Sequence, residues 1–494
     1  MAATAAVILS FTYALGMYLE GHSGREESSG PSSDLLFVFI IPCLNEERVI
    51  GATLDKLRAN PQKDSVILVV DDGSDDRTAA VVQSRMDGNV LLLRRHHPEA
   101  RQGKGAALNA AVKYLAKSPV LDGRAADGVV ICLLDADGRL DPHAHQVANI
   151  GFADPRVGAV QIAVRIGNRA SGLLPRLQDM EFVCYTELFQ RCRSRAGFAG
   201  LGGNGQFTRL SALQSLGPEP WSPSILTEDL DLGVRLVLSG WRTVYSNQAE
   251  VHQQGLNDLR RLVRQRSRWF QGLLQCWRLI PHIARQGVGR TRLDMLHMLL
   301  TPVLIFAAFL MTLSFLVGPI ERVVDPDQEL GAFGTNQVVA WYLLTFFPVL
   351  LFAASYREIA GVGRLRSVAL GHIFVFYGLL WVVAGFQAMW RLLAGRRSWI
   401  KTDRLVEVGE PTTLPAAQRR RPPAIAAAEE ADDIWFDWFV GVERRALEER
   451  ARQTAAAREA TEAWIAWYQR TQLLVPRSRS KGHKAHSREL GSRT

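Results

Sequence analysis

Three long apolar runs constrain this chain before anything else does. HMLLTPVLIFAAFLMTLSFLVG (297–318), VVAWYLLTFFPVLLFAAS (338–355) and VALGHIFVFYGLLWVVAGFQAMW (368–390) carry few or no charges. Each is near the roughly 20 residues a helix needs to cross a bilayer. In lipid, a helix satisfies its own backbone polar groups, and an open chain does not. The runs therefore predict transmembrane helices over 296–395. His372 falls at one end of the third run and is read as interfacial rather than as part of a polar path. A fourth stretch, AATAAVILSFTYALGMYL (2–19), is of borderline length, with no Lys or Arg before it. It predicts a retained membrane anchor over 1–20 rather than a cleaved leader. Residues 20–34 are Gly/Ser-rich and read as a linker.

Charge between the runs orients them, with one conflict. The loop 319–337 is acidic and reads as external; 356–367 carries Arg357, Arg364 and Arg366 and reads as internal. That places 35–290 inside. A third crossing then puts the basic stretch Arg391–Arg404 outside, against the same rule. Further on, 396–422 reads as a basic linker. Residues 423–473 read as an amphipathic helical tail with Trp435, Trp438, Trp464 and Trp467, and 474–494 as a disordered basic tail.

Before the spans the pattern is different. LLFVFII (35–41), SVILVV (65–70), NVLLL (89–93) and GVVICLL (128–134) are short continuous apolar runs. Helical-looking stretches, 46–59, 76–86 and 104–117, lie between them. Continuous runs alternating with helices predict an α/β domain with a mostly parallel, Rossmann-like sheet covered on both faces. In such sheets ligands bind beyond the carboxyl ends of the strands. The polar motifs fall at those ends.

The chain of 494 residues has a formal net charge of +9. The first 300 residues hold no compact Lys/Arg patch with interleaved aromatics, so nucleic acid is not an expected partner. Five cysteines, Cys43, Cys132, Cys184, Cys192 and Cys276, form no CxxC pair. They read as core thiols, not as a disulfide frame or zinc site.

Four clusters carry chemistry. In VVDDGSDD, Asp71 and Asp72 follow a strand and can accept hydrogen bonds from a base or ribose; a plain βα turn fits equally well. In LLDADG, Asp135 and Asp137 are one residue apart after a buried strand. Such a pair suits Mg²⁺ or Mn²⁺, which take carboxylate and phosphate oxygens. In SILTEDLDLG, Thr227 is placed as an N-cap, with Glu228 and Asp229 in the first helical turn. Those carboxylates either complement the helix dipole or serve as a general base. In VRQRSRWFQG, Gln265, Arg268 and Trp269 share one helix face. Arg and Trp together can hold a diphosphate and stack on a sugar; an amphipathic surface helix is the plainer reading.

With all four present in this order, roughly residues 35–280 resemble the family 2 glycosyltransferases of GT-A fold, within a predicted GT-A domain over 35–290. The likeness is to the membrane-integrated branch that includes cellulose, chitin, hyaluronan and poly-N-acetylglucosamine synthases. The resemblance implies that Pro42, Asn45, Glu46, Asp71, Asp72, Lys104 and Asp135 bind a nucleotide-sugar donor, with Gln102 and Gly103 nearby. It implies Asp135 and Asp137 for Mg²⁺ or Mn²⁺, and Asp229 as general base. It implies Glu228, Gln265, Arg268, Trp269, Gly203 and Asn204 around the diphosphate and acceptor. WIKTDR (399–404) resembles a cytosolic gating segment.

The implied enzyme is inverting, sits in the cell membrane with several spans and a cytoplasmic catalytic domain, and acts on a polysaccharide or glycan acceptor; the alternative is a transferase that adds a single sugar to a polyprenyl-phosphate or lipid. A sugar-nucleotide pyrophosphorylase would need a Gly-rich phosphate loop where PCLNEERV stands. A non-catalytic scaffold would be expected to have lost motif acids, and none is missing here.

Overall fold

A computed structural model of the chain describes residues 2–23, 34–59, 65–324 and 332–395. By contacts the chain divides into Met1–Ala424 and Ile425–Thr494, and all described residues belong to the first unit. The expected linker 396–422, helical tail 423–473, basic tail 474–494 and WIKTDR lie outside the described residues.

Helix α1 is Ala2–Ser23. Strand β1, Leu36–Cys43, is followed by α2, Ile50–Ala59; β2, Ser65–Asp71, by α3, Thr78–Gln83; and β3, Val90–Arg94, by α4, Lys104–Leu115. Then come β4, Val129–Leu133; β5, Arg139–Leu140; α5, Ala144–Gly151; and β6, Val157–Ile166. Helix α6, Leu173–Glu181, passes through a π-helical turn into α7, Leu188–Arg195. Strand β7 is Gln206–Arg209, with α8, Leu210–Gln214, α9, Glu228–Leu238, and β8, Arg242–Gln253, after it. Five further helices are α10, Leu259–Gln275; α11, Ile280–Gln286; α12, Gly289–Leu299; α13, Thr301–Val324; and α14, Ala332–Ala360. The last described helix is α15, Arg364–Leu393.

The strands form one sheet in the order β3-β2-β1-β4-β7-β6-β8-β5. The half from β3 to β4 is parallel throughout, as the alternating pattern predicts. Beyond β4 the sheet is mixed, because β7 enters antiparallel between β4 and β6. Strand β1 explains why the runs are continuous rather than alternating. Phe37, Phe39 and Ile41 belong to the core on one face, and Leu36, Val38 and Ile40 to the core on the other. Helix α4 packs Ala107, Leu108 and Ala111 into the second face, beside Leu232 and Leu236 of α9. All five cysteines are buried, and none forms a disulfide.

Among the described residues, two segments are long and apolar enough to cross a membrane, Val339–Ala360 and Arg364–Leu393. The run expected as one span over 297–318 is broken. It begins in α12 and turns by 59° into α13, so it counts as a third span only as a bent pair. His372 bridges helices: its Nε2 lies 2.9 Å from the Tyr342 hydroxyl on α14. Helix α1 is more than an isolated anchor. Tyr13 donates to Asp294 of α12 at 2.5 Å, and the Tyr18 hydroxyl lies 2.6 Å from that of Ser355 on α14.

One buried ion pair ties the α/β domain to the last helix. Arg266 of α10 is 1% exposed and grips both carboxylate oxygens of Glu181, at 3.2 and 2.5 Å. Tyr377 and Trp381 of α15 donate to the same carboxylate at 2.6 and 2.8 Å. The guanidinium lies over the Trp269 ring, 4.1 Å from its centroid. Removing one partner of such a pair strands a buried charge, at a cost of about 3–5 kcal/mol. Glu181→Ala is therefore expected to lower the melting temperature of the detergent-purified protein sharply. The double variant Glu181→Leu/Arg266→Met should lose less than the sum of the two single changes; strict additivity would refute the coupling.

Candidate active site

Four sets of residues build the site, and the first two, PCLNEE and VVDDGSDD, are stitched into one surface at the carboxyl ends of β1 and β2. Asn45, in a left-handed conformation at φ 55°, accepts from the backbone N–H of Asp75 at 2.8 Å and donates its own N–H to Ser74 at 2.9 Å. The N–H of Glu46 reaches the Thr78 hydroxyl at 2.7 Å. Pro42 sits at the end of β1, opposite Val70. Asp71 is fully buried and accepts from the Ser74 N–H at 3.0 Å. Asp72 forms an ion pair with Arg95. Burial raises the Asp72 pKa above the ordinary carboxylate value, against the pull of Arg95 and the Arg101 N–H.

Strand β4 lies on the other side of β1 and delivers the third motif. Ala136 packs into the core, while Asp135 and Asp137 on either side of it are partly buried. Lys104, in the first turn of α4, donates to Asp135 at 2.8 Å and to the Gly203 carbonyl at 3.0 Å. Asp137 accepts from the Gln254 N–H at 3.1 Å. Because β7 runs antiparallel to β4, the residues entering β7 meet the end of β4. Asn204 there accepts from the Asp135 N–H at 3.1 Å and donates to Gln253 at 3.3 Å, so its amide holds Asp135 in place.

The fourth set completes the cleft. A Cβ on Gly203 would stand 2.7 Å from the Lys104 ammonium and 3.2 Å from the Asp229 carboxylate. A side chain would fill that gap, so glycine keeps it open. Lys104 is thus the meeting point of Asp135, Gly203 and Asp229. Burial raises the Asp229 pKa, and Lys104 and the N–H groups of Leu230 and Gly203 pull against the rise. Burial also raises that of Glu228, to about 7, with the Asp229 charge adding to it and Lys104 and Arg268 opposing.

Helix α10 reaches this cleft because Gly272 has no side chain: a Cβ there would meet Thr227 at 2.5 Å. The Leu226 N–H donates to Gln275 at 2.9 Å across the same contact. Thr227 does occupy the N-cap position, but its hydroxyl caps nothing. It turns instead to Cys276, 3.6 Å away, and Asp229 itself accepts from the Leu230 N–H at 2.8 Å. Of the α10 motif, Arg268 acts on Glu228. Gln265 is bound by Arg266 at 2.6 Å, and Trp269 packs on Arg266, Phe182 and Trp381. Gln102 donates to the Pro98 carbonyl at 2.9 Å. Arg95, Arg266 and Gln254 join the network unannounced by any motif.

Among the described residues no three His, Cys, Asp or Glu side chains gather as a metal cage. The Asp135/Asp137 pair fits a different donor set. Mg²⁺ or Mn²⁺ at a substrate site uses one or two carboxylates and completes its shell with phosphate oxygens and water.

The raised Glu228 pKa has a signed consequence for stability. The folded state holds the Glu228 proton more tightly than the unfolded chain, whose ordinary value is 4.5. The contribution is full below that value and is lost as pH rises through about 7. Glu228→Gln is expected to shrink the drop in melting temperature between about pH 5 and about pH 8. An unchanged drop would contradict the assignment.

Residues 34–272 match the family model described as glycosyltransferase like family 2. The β-monoglucosyldiacylglycerol synthase of Synechocystis sp. is 31% identical over 269 residues, 53% of each chain. The poly-β-1,6-N-acetyl-D-glucosamine synthase of Staphylococcus aureus is 30% identical over 238 residues, 47% of this chain and 53% of that one. The chain thus spans about half the length of these curated relatives. A mannosyltransferase from Pyrobaculum calidifontis, solved in complex with GDP-Man and Mn²⁺, aligns at a TM-score of 0.49 and 18% identity over 79% of this chain and 97% of that one. Residues 34–272, which hold every strand of the sheet, are thus similar in sequence to the glycosyltransferases of family 2.

Proposed function

We propose that this chain is a membrane-bound inverting glycosyltransferase that moves a sugar from a uridine-diphosphate donor to an acceptor hydroxyl. The observation that carries the reading is the meeting of Asp135, Asp229 and Lys104 in one cleft. A donor-side carboxylate and a second carboxylate suited to act as base then face the same reacting centre.

Asp229 takes the proton of the acceptor hydroxyl. The oxygen attacks the anomeric carbon from the face opposite the nucleotide, the bond to the diphosphate oxygen breaks, and its electron pair leaves with UDP. An α-linked donor gives a β-linked product. Positioning supplies much of the rate. Lys104 and Arg268 bring positive charge to the cleft, and Arg95 holds Asp72 beside the nucleotide end. Asp135 and Asp137 would hold Mg²⁺ or Mn²⁺, whose charge would offset that of the departing diphosphate. Gly203, Glu228, Gln265 and Trp269 line the acceptor side, with Asn204 supporting Asp135. Helices α14 and α15 lie in the bilayer and the catalytic domain faces the cytoplasm, where the nucleotide sugar is. The acceptor is a glycan chain end or a lipid, the classes named for the two curated relatives.

Asp229→Asn is expected to cut transfer by about 10²–10⁴-fold, the usual range for losing a general base, with little change in UDP affinity. Asp137→Asn should abolish the stimulation by divalent ions. NMR of the product should show the β anomer. Unchanged turnover in both variants would overturn the site assignment, and an α product would overturn single displacement.

A further inference from the structure

A cavity of about 500 Å³ is walled by α1, α6, α7, α10 and α12 to α15. Its walls are mainly apolar, with Phe270, Leu304, Ile305 and Phe374 among them. Its size falls in the range of small-molecule sites. Glu181, Arg193 and His297 face it, together with the hydroxyls of Ser10, Tyr18, Thr301 and Tyr377 and the indole of Trp381. Arg193 is 7% exposed, and its Nε makes no hydrogen bond among the described residues. The Nδ1 of His297 is likewise buried and unpartnered, while its Nε2 lies 3.1 Å from Ser10. The Arg193 Nε–H calls for an oxygen acceptor, and His297 Nδ1 offers a second donor in the tautomer in which Nε2 accepts from Ser10.

The charges there are already balanced. Asp294 faces Arg193, and Arg266 neutralises Glu181. A neutral head group therefore suits the polar wall better than a phosphate, whose charge would go unanswered. The cavity and the cleft share α10, which lines the cavity with Phe270 and Leu273 while its Arg268 acts on Glu228.

We propose that the cavity holds the acyl chain of a neutral lipid acceptor, with ester oxygens on Arg193 and His297 and a free hydroxyl directed toward Asp229. The proposal deepens the transferase reading, on which its catalytic consequence rests; the binding itself does not depend on it.

The test uses the full chain in nanodiscs with a diacylglycerol carrying a photoreactive group on one acyl chain. Gly378 lines the cavity, and a Cβ there meets nothing within 4 Å, so Gly378→Leu fills space without a clash at Cβ. Ala308→Phe, on α13, is the second filling variant and guards against misfolding of the first. Cross-links are expected on the walls from α10, α13, α14 and α15. Each variant should cut cross-linking and lipid glycosylation about tenfold or more, the scale on which a pocket rejects excess bulk. Donor hydrolysis to UDP should persist in both. Arg193→Met should weaken cross-linking with the cavity left open. Labelling elsewhere, or labelling untouched by both filling variants, overturns the proposal. So does a shortened glycan product in the variants with no lipid labelled, which would give the cavity to a growing chain. If the wild-type protein fails to turn over donor, the transferase reading falls, and the cross-link map still decides the cavity.

Discussion

The ammonium of Lys104 is the interaction on which the site depends. Two carboxylates that approach each other without a counter-charge raise each other's pKa and one takes up a proton. The cleft gathers three, Asp135, Glu228 and Asp229, in a partly desolvated space. Lys104 donates to one and acts electrostatically on the other two, and it can do so only because Gly203 leaves the gap unfilled. Burial alone would lower its own pKa, but the carboxylates around it outweigh that and raise it. The donor side and the proposed base are therefore held together by a single charge on the first turn of α4.

That charge would be idle without the frame that carries it. The parallel half of the sheet brings the ends of β1, β2 and β4 to one edge, and the antiparallel entry of β7 adds Gly203 and Asn204 from the other side. Helix α9 presents Glu228 and Asp229 from its first turn, and α10 locks onto it through the bare Gly272. The same α10 is bonded through Arg266 to Glu181, and through that carboxylate to Tyr377 and Trp381 of α15. The proposed acceptor side of the cleft is thus joined to the apolar helices through one buried carboxylate.

Much of this was legible in the residues. The four strands announced themselves because a strand covered on both faces is apolar at every position, as β1 is from Leu36 to Ile41. Asp135 and Asp137 stood out as charges at the close of such a run. Arg266 did not, since it sits among other arginines in VRQRSRW, and its burial depends on Glu181, 85 residues earlier, and on a helix more than 100 residues later. Arg95 lies in no recognised motif, and its ion pair is with Asp72, 23 residues earlier. The capping role assigned to Thr227 failed because α10 presses on that residue, a contact no local rule contains. The break between α12 and α13 was hidden too: hydropathy runs smoothly through 297–318 while the helix axis turns.

The central claim, that Lys104 sets the ionisation of the base, is tested most directly by the pH dependence of kcat/KM in Lys104→Met. That profile reports ionisations of the free enzyme. Without the ammonium, the Asp229 carboxylate should hold its proton to higher pH, so the acid limb should move upward relative to the wild-type chain. An acid limb that stays in place, with the rate lowered equally at every pH, would contradict the account.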